Sequence, residues 1–133
     1  MIQFFVACTP RGKARARILR SGRSYTPKTT VDLEQLIGWE CKKAMSMDLM
    51  DLPLEGPVWL TVEATFAYPK AFSRKQRENT HWKTSKPDLD NIVKLVDALN
   101  GIAWADDAQV ARLDCKKVYG EKQGLLISFG ELE

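Results

Sequence analysis

The order of apolar patterns along this chain predicts an α/β (α+β) domain, with a mixed β-sheet packed against two main helices in the order β-α-β-α-β-β. Three observations carry that expectation. Val58, Leu60, Val62, Ala64 and Phe66 alternate with Trp59, Thr61, Glu63 and Thr65, the two-residue period of a strand with one apolar face. Leu33, Leu36, Ile37, Glu40 and Ala44 recur at helical spacing. A second helical pattern, Ile92, Val93, Leu95, Val96 and Leu99, is followed by two strand-like runs. At 133 residues the chain is the size of one ordinary domain with one core, so residues 1–133 are read as a single domain.

Each element has a local reason. Ile2 to Cys8 is apolar, rich in Phe and Val, and stops at Thr9-Pro10, which reads as a buried strand. Arg11 to Thr26 has two glycines and no lasting apolar period. It reads as a basic loop with a ribbon turning near Ser21-Gly22-Arg23, pinned to the body by Ile18 and Leu19. Thr26 is then expected as the N-cap of the first helix, with Pro27 at the first helical position, where a missing N–H costs nothing. This helix should run to about Met50, with Gly38 a mild cost inside it and Pro53 beyond its end. Gly56-Pro57 introduces the Val58 strand. Pro69 to Lys86 is polar, basic and irregular, and a loop of that length is more often functional or mobile than incidental. The second helix spans about Asp90 to Leu99 as a short amphipathic segment, and Asn100-Gly101 is its stop. Val110 to Tyr119 is a strand, Gly120 to Gly124 a turn, and Leu125 to Phe129 the last strand.

The composition, 44% hydrophobic and 28% charged, is that of a globular chain rather than a disordered one. A formal charge of +3 says little, but its distribution says more. From Arg11 to Lys28 there are seven basic residues and no acidic one. A second group holds Lys70, Arg74, Lys75, Arg77 and Lys83. A positive stripe of this kind can track a phosphate backbone. The candidate contacts are Lys13, Arg15, Arg17, Arg20 and Arg23 in the first run, Arg74 and Lys75 in the second, and Lys86 just beyond it. Cys8, Cys41 and Cys115 form no C-x-x-C pair and His81 is alone, which excludes zinc-ribbon and histidine-rich sites and suits free thiols in a reducing compartment. The opening MIQFFVACTP has no charged n-region and no cleavage-like stretch, and it is too short to span a bilayer. A cytoplasmic protein with no membrane partner is expected.

Against this basic background, Lys86 to Gln109, KPDLDNIVKLVDALNGIAWADDAQ, gathers five aspartates. In a helix, residues two apart do not face each other, but in an extended chain they point the same way. Pro87 biases Lys86 towards extended geometry. The chain is therefore expected to arrive extended, set Asp88 and Asp90 on one side, and turn into the helix. A further carboxylate from the Asp106-Asp107 turn would complete a cage of oxygen ligands, which suits Mg²⁺ or Mn²⁺. Each aspartate also has an ordinary explanation. Asp88 can be an N-cap, Asp90 can favour the positive first turn or pair with Lys94, and Asp106-Asp107 can be turn residues. The combination beside basic loops points to metal-assisted phosphodiester chemistry. Asp97, about two turns beyond Asp90, is given a structural role.

The whole segment resembles the RusA family of Holliday junction resolvases, often borne by phages and prophages. The resemblance lies in Asp88-Leu89-Asp90-Asn91, Lys94, Asp97-Ala98-Leu99 and Asp106-Asp107-Ala108-Gln109-Val110. A looser likeness joins Pro10, Lys13, Arg15, Arg17, Gly22 and Tyr25-Thr26-Pro27 to the family's basic opening. One departure is Pro87, where some members carry a basic residue and this chain has Lys86 one step earlier. The resemblance implies a homodimeric Mg²⁺-dependent endonuclease of a phage-infected or bacterial cell, making paired nicks in four-way DNA junctions during recombination and repair. It maps the catalytic aspartates onto Asp88, Asp90 and Asp107 and the catalytic lysine onto Lys94. Asp106 is either a further metal ligand or the residue that orients Asp107. The rival readings are a nuclease acting on other branched DNA, a non-catalytic junction-binding module, and an enzyme acting on a small phosphate ester.

Overall fold

The computed structural model describes residues 1–50 and 53–133. Its elements are β1 (Ile2–Ala7), a small ribbon of β2 (Arg17–Ile18) and β3 (Ser24–Tyr25), α1 (Lys28–Met47), β4 (Val58–Phe66), α2 (Arg74–Asn79), α3 (Leu89–Val93), β5 (Val110–Tyr119) and β6 (Gly124–Glu131). The strands form a four-stranded mixed sheet in the order β1-β6-β4-β5. β6 runs antiparallel to both β1 and β4, whereas β4 and β5 are parallel. The parallel pair needs a crossover, and the whole aspartate-bearing segment lies on it. The expected α+β class and element order hold, the ribbon included, with α2 added.

The alternating strand pattern does what its period requires. Every second residue of β4 from Val58 to Phe66 is buried. These side chains meet Ile2, Phe4 and Val6 of β1, Leu125, Ile127 and Phe129 of β6, and Leu33, Ile37, Cys41 and Met45 of α1 in one core. Burial pushes the Cys41 thiol up to about 12, and all three cysteines are free.

Helix boundaries differ from expectation in informative ways. Pro27, not Thr26, is the N-cap. The Pro27 carbonyl accepts from the Thr30 and Val31 amides at 3.0 and 3.2 Å, so Pro27 already serves the first turn while keeping an extended ψ. α1 ends at Met47 rather than near Met50. Leu49 adopts φ 57, its amide donates to the Ser46 carbonyl, and the Met50 amide donates to the Met45 carbonyl. That is a Schellman stop with leucine in the left-handed position, an end that no glycine announces. The ribbon forms as expected around Gly22, whose φ of 86 suits a turn glycine. Ile18 and Leu19 do not pin it to the body, for Ile18 is 78% exposed. With only two residues per strand, the ribbon is too short to turn an apolar face onto the core.

The second helix is split. Its first turn is α3, and Lys94–Leu99 continues as a 3₁₀ segment. Side chains three apart eclipse in a 3₁₀ turn, which suits Ile92 with Leu95 and Val96 with Leu99, all buried. Gly101, at φ 82, provides the expected stop.

Candidate active site

The extended arrival stops one residue earlier than the alternation suggested: Leu89 and Asp90 already belong to α3, so the two-residue period does not by itself align Asp88 with Asp90. Asp88 is extended, at φ −69 and ψ 139, and is the N-cap of α3, but its side chain makes no cap hydrogen bond. Its carboxylate is instead held by Lys86 at 2.9 Å. The Lys86 ammonium, with Lys117 adding charge from further off, keeps the Asp88 carboxyl below the usual range. Asp90 lies in the first turn of α3 and is exposed. Lys94 is exposed, and its amine approaches Asn91 Oδ1 at 3.4 Å. No Asp90–Lys94 ion pair forms among the described residues, so the cation is not used up by its neighbour one turn back.

The second pair is built by different means. Asp106 caps the 3₁₀ turn Asp107–Gln109: its Oδ1 accepts from the Ala108 amide at 3.3 Å. Gln109 closes the turn. Its Oε1 accepts from the amides of Ala105 and Asp106, and its Nε2 donates to the carbonyls of Leu54 and Gly56 at 3.0 and 2.9 Å. Trp104 anchors the approach. It is fully buried, its ring meets Phe129 edge-on at 5.5 Å, and its Nε1 donates to Asn100 Oδ1 at 2.9 Å. The Asp107 carboxyl is left exposed and pushed up, first by Asp106 and then by Asp97. The Asp106 carboxylate is engaged on its own turn, beside Asp107.

Asp97, set aside on sequence spacing, thus lies against Asp107. It also accepts from Lys13 at 3.1 Å, and Lys13 reaches Glu34 of α1 at 3.5 Å. Partial burial works against the Lys13 charge, but the two carboxylates outweigh it and raise its pKa. The Lys13 amide donates to the Asn91 carbonyl at 2.8 Å. The basic opening is therefore fastened along α3, and Lys13 is spent on an internal ion pair. Arg15, Arg17, Arg20 and Arg23 are exposed beyond it. Arg74 and Lys75 are exposed on α2, where Arg74 pairs with Glu78 at 3.4 Å.

The expected single cage does not close within one chain. Among the described residues, no group of three or more His, Cys, Asp or Glu side chains is placed to hold a metal ion. Asp107 has Asp106 and Asp97 as its acidic neighbours, not Asp88 or Asp90. Asp90 and Asp97 are separated by four α-helical and three 3₁₀ steps, about 12 Å of rise, and Asp107 sits at the Asp97 end. The donor set still fits a hard cation in kind. It is made of oxygens alone, and of the two carboxylates beside Asp107 only Asp97 has a lysine partner, Lys13.

Sequence reasoning missed α2, Trp104 and Lys117, and it named Gln109 only as part of the family motif, without a role. The signal for α2 was present: Ser73 and Gln76 form a capping box, the S-x-x-Q pattern of a helix start. Lys117, on β5, donates to the carbonyls of Ser85 and Pro87 at 2.7 and 2.8 Å.

A sequence model of a family described as "Endodeoxyribonuclease RusA" matches residues 7–129. The chain belongs to the RusA family. It is 40% identical over 80 residues to the "Crossover junction endodeoxyribonuclease rusA" of Lactococcus phage r1t, an alignment covering 59% of each chain. It is 34% identical over 86 residues to the "Uncharacterized protein YqaN" of Bacillus subtilis (strain 168), covering 59% of this chain and 61% of the relative. The chain thus spans about three-fifths of the length of these two relatives. No helix among the described residues is long and apolar enough to cross a membrane.

Proposed function

We propose that this RusA-family chain is a Mg²⁺-dependent endodeoxyribonuclease that resolves four-way DNA junctions by paired symmetric nicks in recombination and repair, working in the cytoplasm. The observation that carries the reading is the family match over residues 7–129, which includes the Asp88, Asp90, Lys94 and Asp107 positions on an exposed surface. The residues that would hold the ion are Asp88, Asp90 and Asp107. When bound, Mg²⁺ or Mn²⁺ supplies Lewis-acid stabilisation of charge on the phosphate. Asp88 gives up its Lys86 partner to take that role, and Lys86 then faces the DNA. Lys94, exposed and unpaired with Asp90, offers a point charge to the phosphate or the leaving oxygen. Arg15, Arg17, Arg20, Arg23, Arg74 and Lys75 give affinity and register through the phosphate backbone.

The separation of the half-sites supports the homodimer. Two chains related by a two-fold axis can set the Asp88–Asp90 pair of one beside Asp107 of the other, twice, giving the two sites that paired cuts need. A labelled four-way junction incubated with the protein in Mg²⁺ or in EDTA tests the reading. Symmetric nicks in Mg²⁺ alone are expected. Binding without nicking at any Mg²⁺ or Mn²⁺ concentration would favour the non-catalytic module, and equal nicking of three-way or linear DNA would remove the junction specificity.

A further inference from the structure

We infer that Lys117 is a positioning residue for Asp88: it fixes the backbone that presents this carboxylate to the ion. The inference rests on the reading of Asp88 as a metal ligand. Lys117 is half-buried on β5, opposite Ala64 in the parallel pairing. From there its ammonium donates to the carbonyls of Ser85 and Pro87, at 2.7 and 2.8 Å. These two carbonyls bracket Lys86, and the second belongs to the peptide bond that leads into Asp88. The same stretch is tied to β5 a second time, because the Lys83 amide donates to the Lys117 carbonyl at 3.2 Å and the Tyr119 amide to the His81 carbonyl at 2.8 Å.

The chemistry of the contact explains why the residue is a lysine. A loop carbonyl has no partner of its own in a sheet, and an ammonium has three donors, so it satisfies two carbonyls and keeps one N–H in hand. The positive charge also favours the ionised Asp88 carboxylate. Lys86, by contrast, holds Asp88 by the carboxylate itself and must let go when the ion arrives. Lys117 holds only main-chain oxygens and keeps its grip throughout.

The test uses Lys117→Met and Lys117→Arg in the full chain, with Lys117→Gln as a substitute if the methionine variant lowers the melting temperature. Without metal, Lys117→Met should speed amide hydrogen exchange in residues 85–90 while the core strands keep their protection. In junction nicking, the Mg²⁺ concentration for half-maximal rate should rise by roughly 10-fold, the scale of losing an outer-shell partner, and the rate should recover at saturating Mg²⁺. Arginine also donates to two acceptors, so Lys117→Arg should restore both readouts. Unchanged exchange together with an unchanged Mg²⁺ midpoint would overturn the inference. So would a rate loss that Mg²⁺ does not recover, which would place Lys117 in the chemistry itself. If the wild-type protein does not nick at all, the functional reading fails, and the exchange comparison alone still decides the role of Lys117.

Discussion

Asp88 and Asp107 are both exposed carboxylates at the mouth of a short helical turn, yet their surroundings have opposite sign. Asp88 stands among cations: Lys86 grips it, Lys117 lies behind it, and its pKa is lowered. Asp107 stands among carboxylates: Asp106 and Asp97 crowd it, and its pKa is raised. The backbones are secured differently too. The Asp88 stretch hangs on one lysine and the edge of β5, whereas the Asp106–Asp107 turn is clamped by the four side-chain hydrogen bonds of Gln109 and by the buried Trp104. The difference teaches that the two carboxylate groups are built to separate designs. One is a compensated, adjustable pair, and the other is a rigid turn with surplus negative charge.

The largest effects should come from removing either half. Asp88→Asn or Asp107→Asn alone should cut Mg²⁺-dependent nicking by more than the roughly 100-fold that loss of an outer partner costs. Junction binding without metal should hold or tighten, because an acidic group that repels phosphate is gone. A mixture of the two variants sharpens the comparison. If two chains share their half-sites, a mixed dimer keeps one intact site, with Asp88 and Asp90 from the Asp107→Asn chain and Asp107 from the Asp88→Asn chain. Such mixtures should regain single-strand nicking without paired cuts. A mixture as inactive as its parts would mean that each chain completes its own site after rearrangement.

Next in size is the scaffold beneath the rigid half. Trp104→Ala deletes a fully buried ring packed on Phe129 and should destabilise the fold by about 3–5 kcal/mol, read by denaturant unfolding. A milder loss would show that the turn is held mainly by Gln109.

The basic residues come third. Arg15→Gln with Arg17→Gln should weaken junction binding and flatten its salt dependence, by about 0.9 in logarithmic slope for each phosphate that is no longer neutralised. Lys13→Gln should differ from these. Lys13 is spent on Asp97 and Glu34, so its removal should change the slope less. An equal change at Lys13 would return it to the DNA-binding set in which sequence reasoning placed it.

Much of this was legible in the chain. Strict alternation marked β4, the Asp-Leu-Asp spacing at a proline marked an extended arrival at a helix, and Asn100-Gly101 marked its end. What was not legible had physical causes. The split of the second helix into α and 3₁₀ turns depends on packing against α1, and the apolar spacing fits both. The end of α1 uses a leucine where glycine is usual, so composition gave no sign. Asp90 and Asp97 stand at different levels of that same helical segment, which packs against α1, and Asp107 has Asp97 as its neighbour. In one dimension Asp90 and Asp107 look like neighbours across a loop, and only the packed crossover separates them. The role of Asp97 follows from the same packing, since facing Asp107 is a property of two elements and not of either alone.

Asp97 also gives the smallest and most discriminating prediction. Asp97→Asn removes one of the two negative neighbours of Asp107 and one of the two partners of Lys13. The ion pair is part-exposed, so stability should fall by no more than about 1 kcal/mol. The electrostatic consequence is specific. Asp107 should titrate at lower pH in the variant, because less negative charge opposes its ionisation, and Asp88 should not move, because it lies at the other end of the helical segment. Carboxyl carbon chemical shifts followed through acid titration would measure both. A shift at Asp88 equal to that at Asp107 would mean that the half-sites already touch within one chain, and the contrast between them would fall. An unmoved Asp107 would mean that Asp106 alone sets its charge, leaving Asp97 with a structural role only.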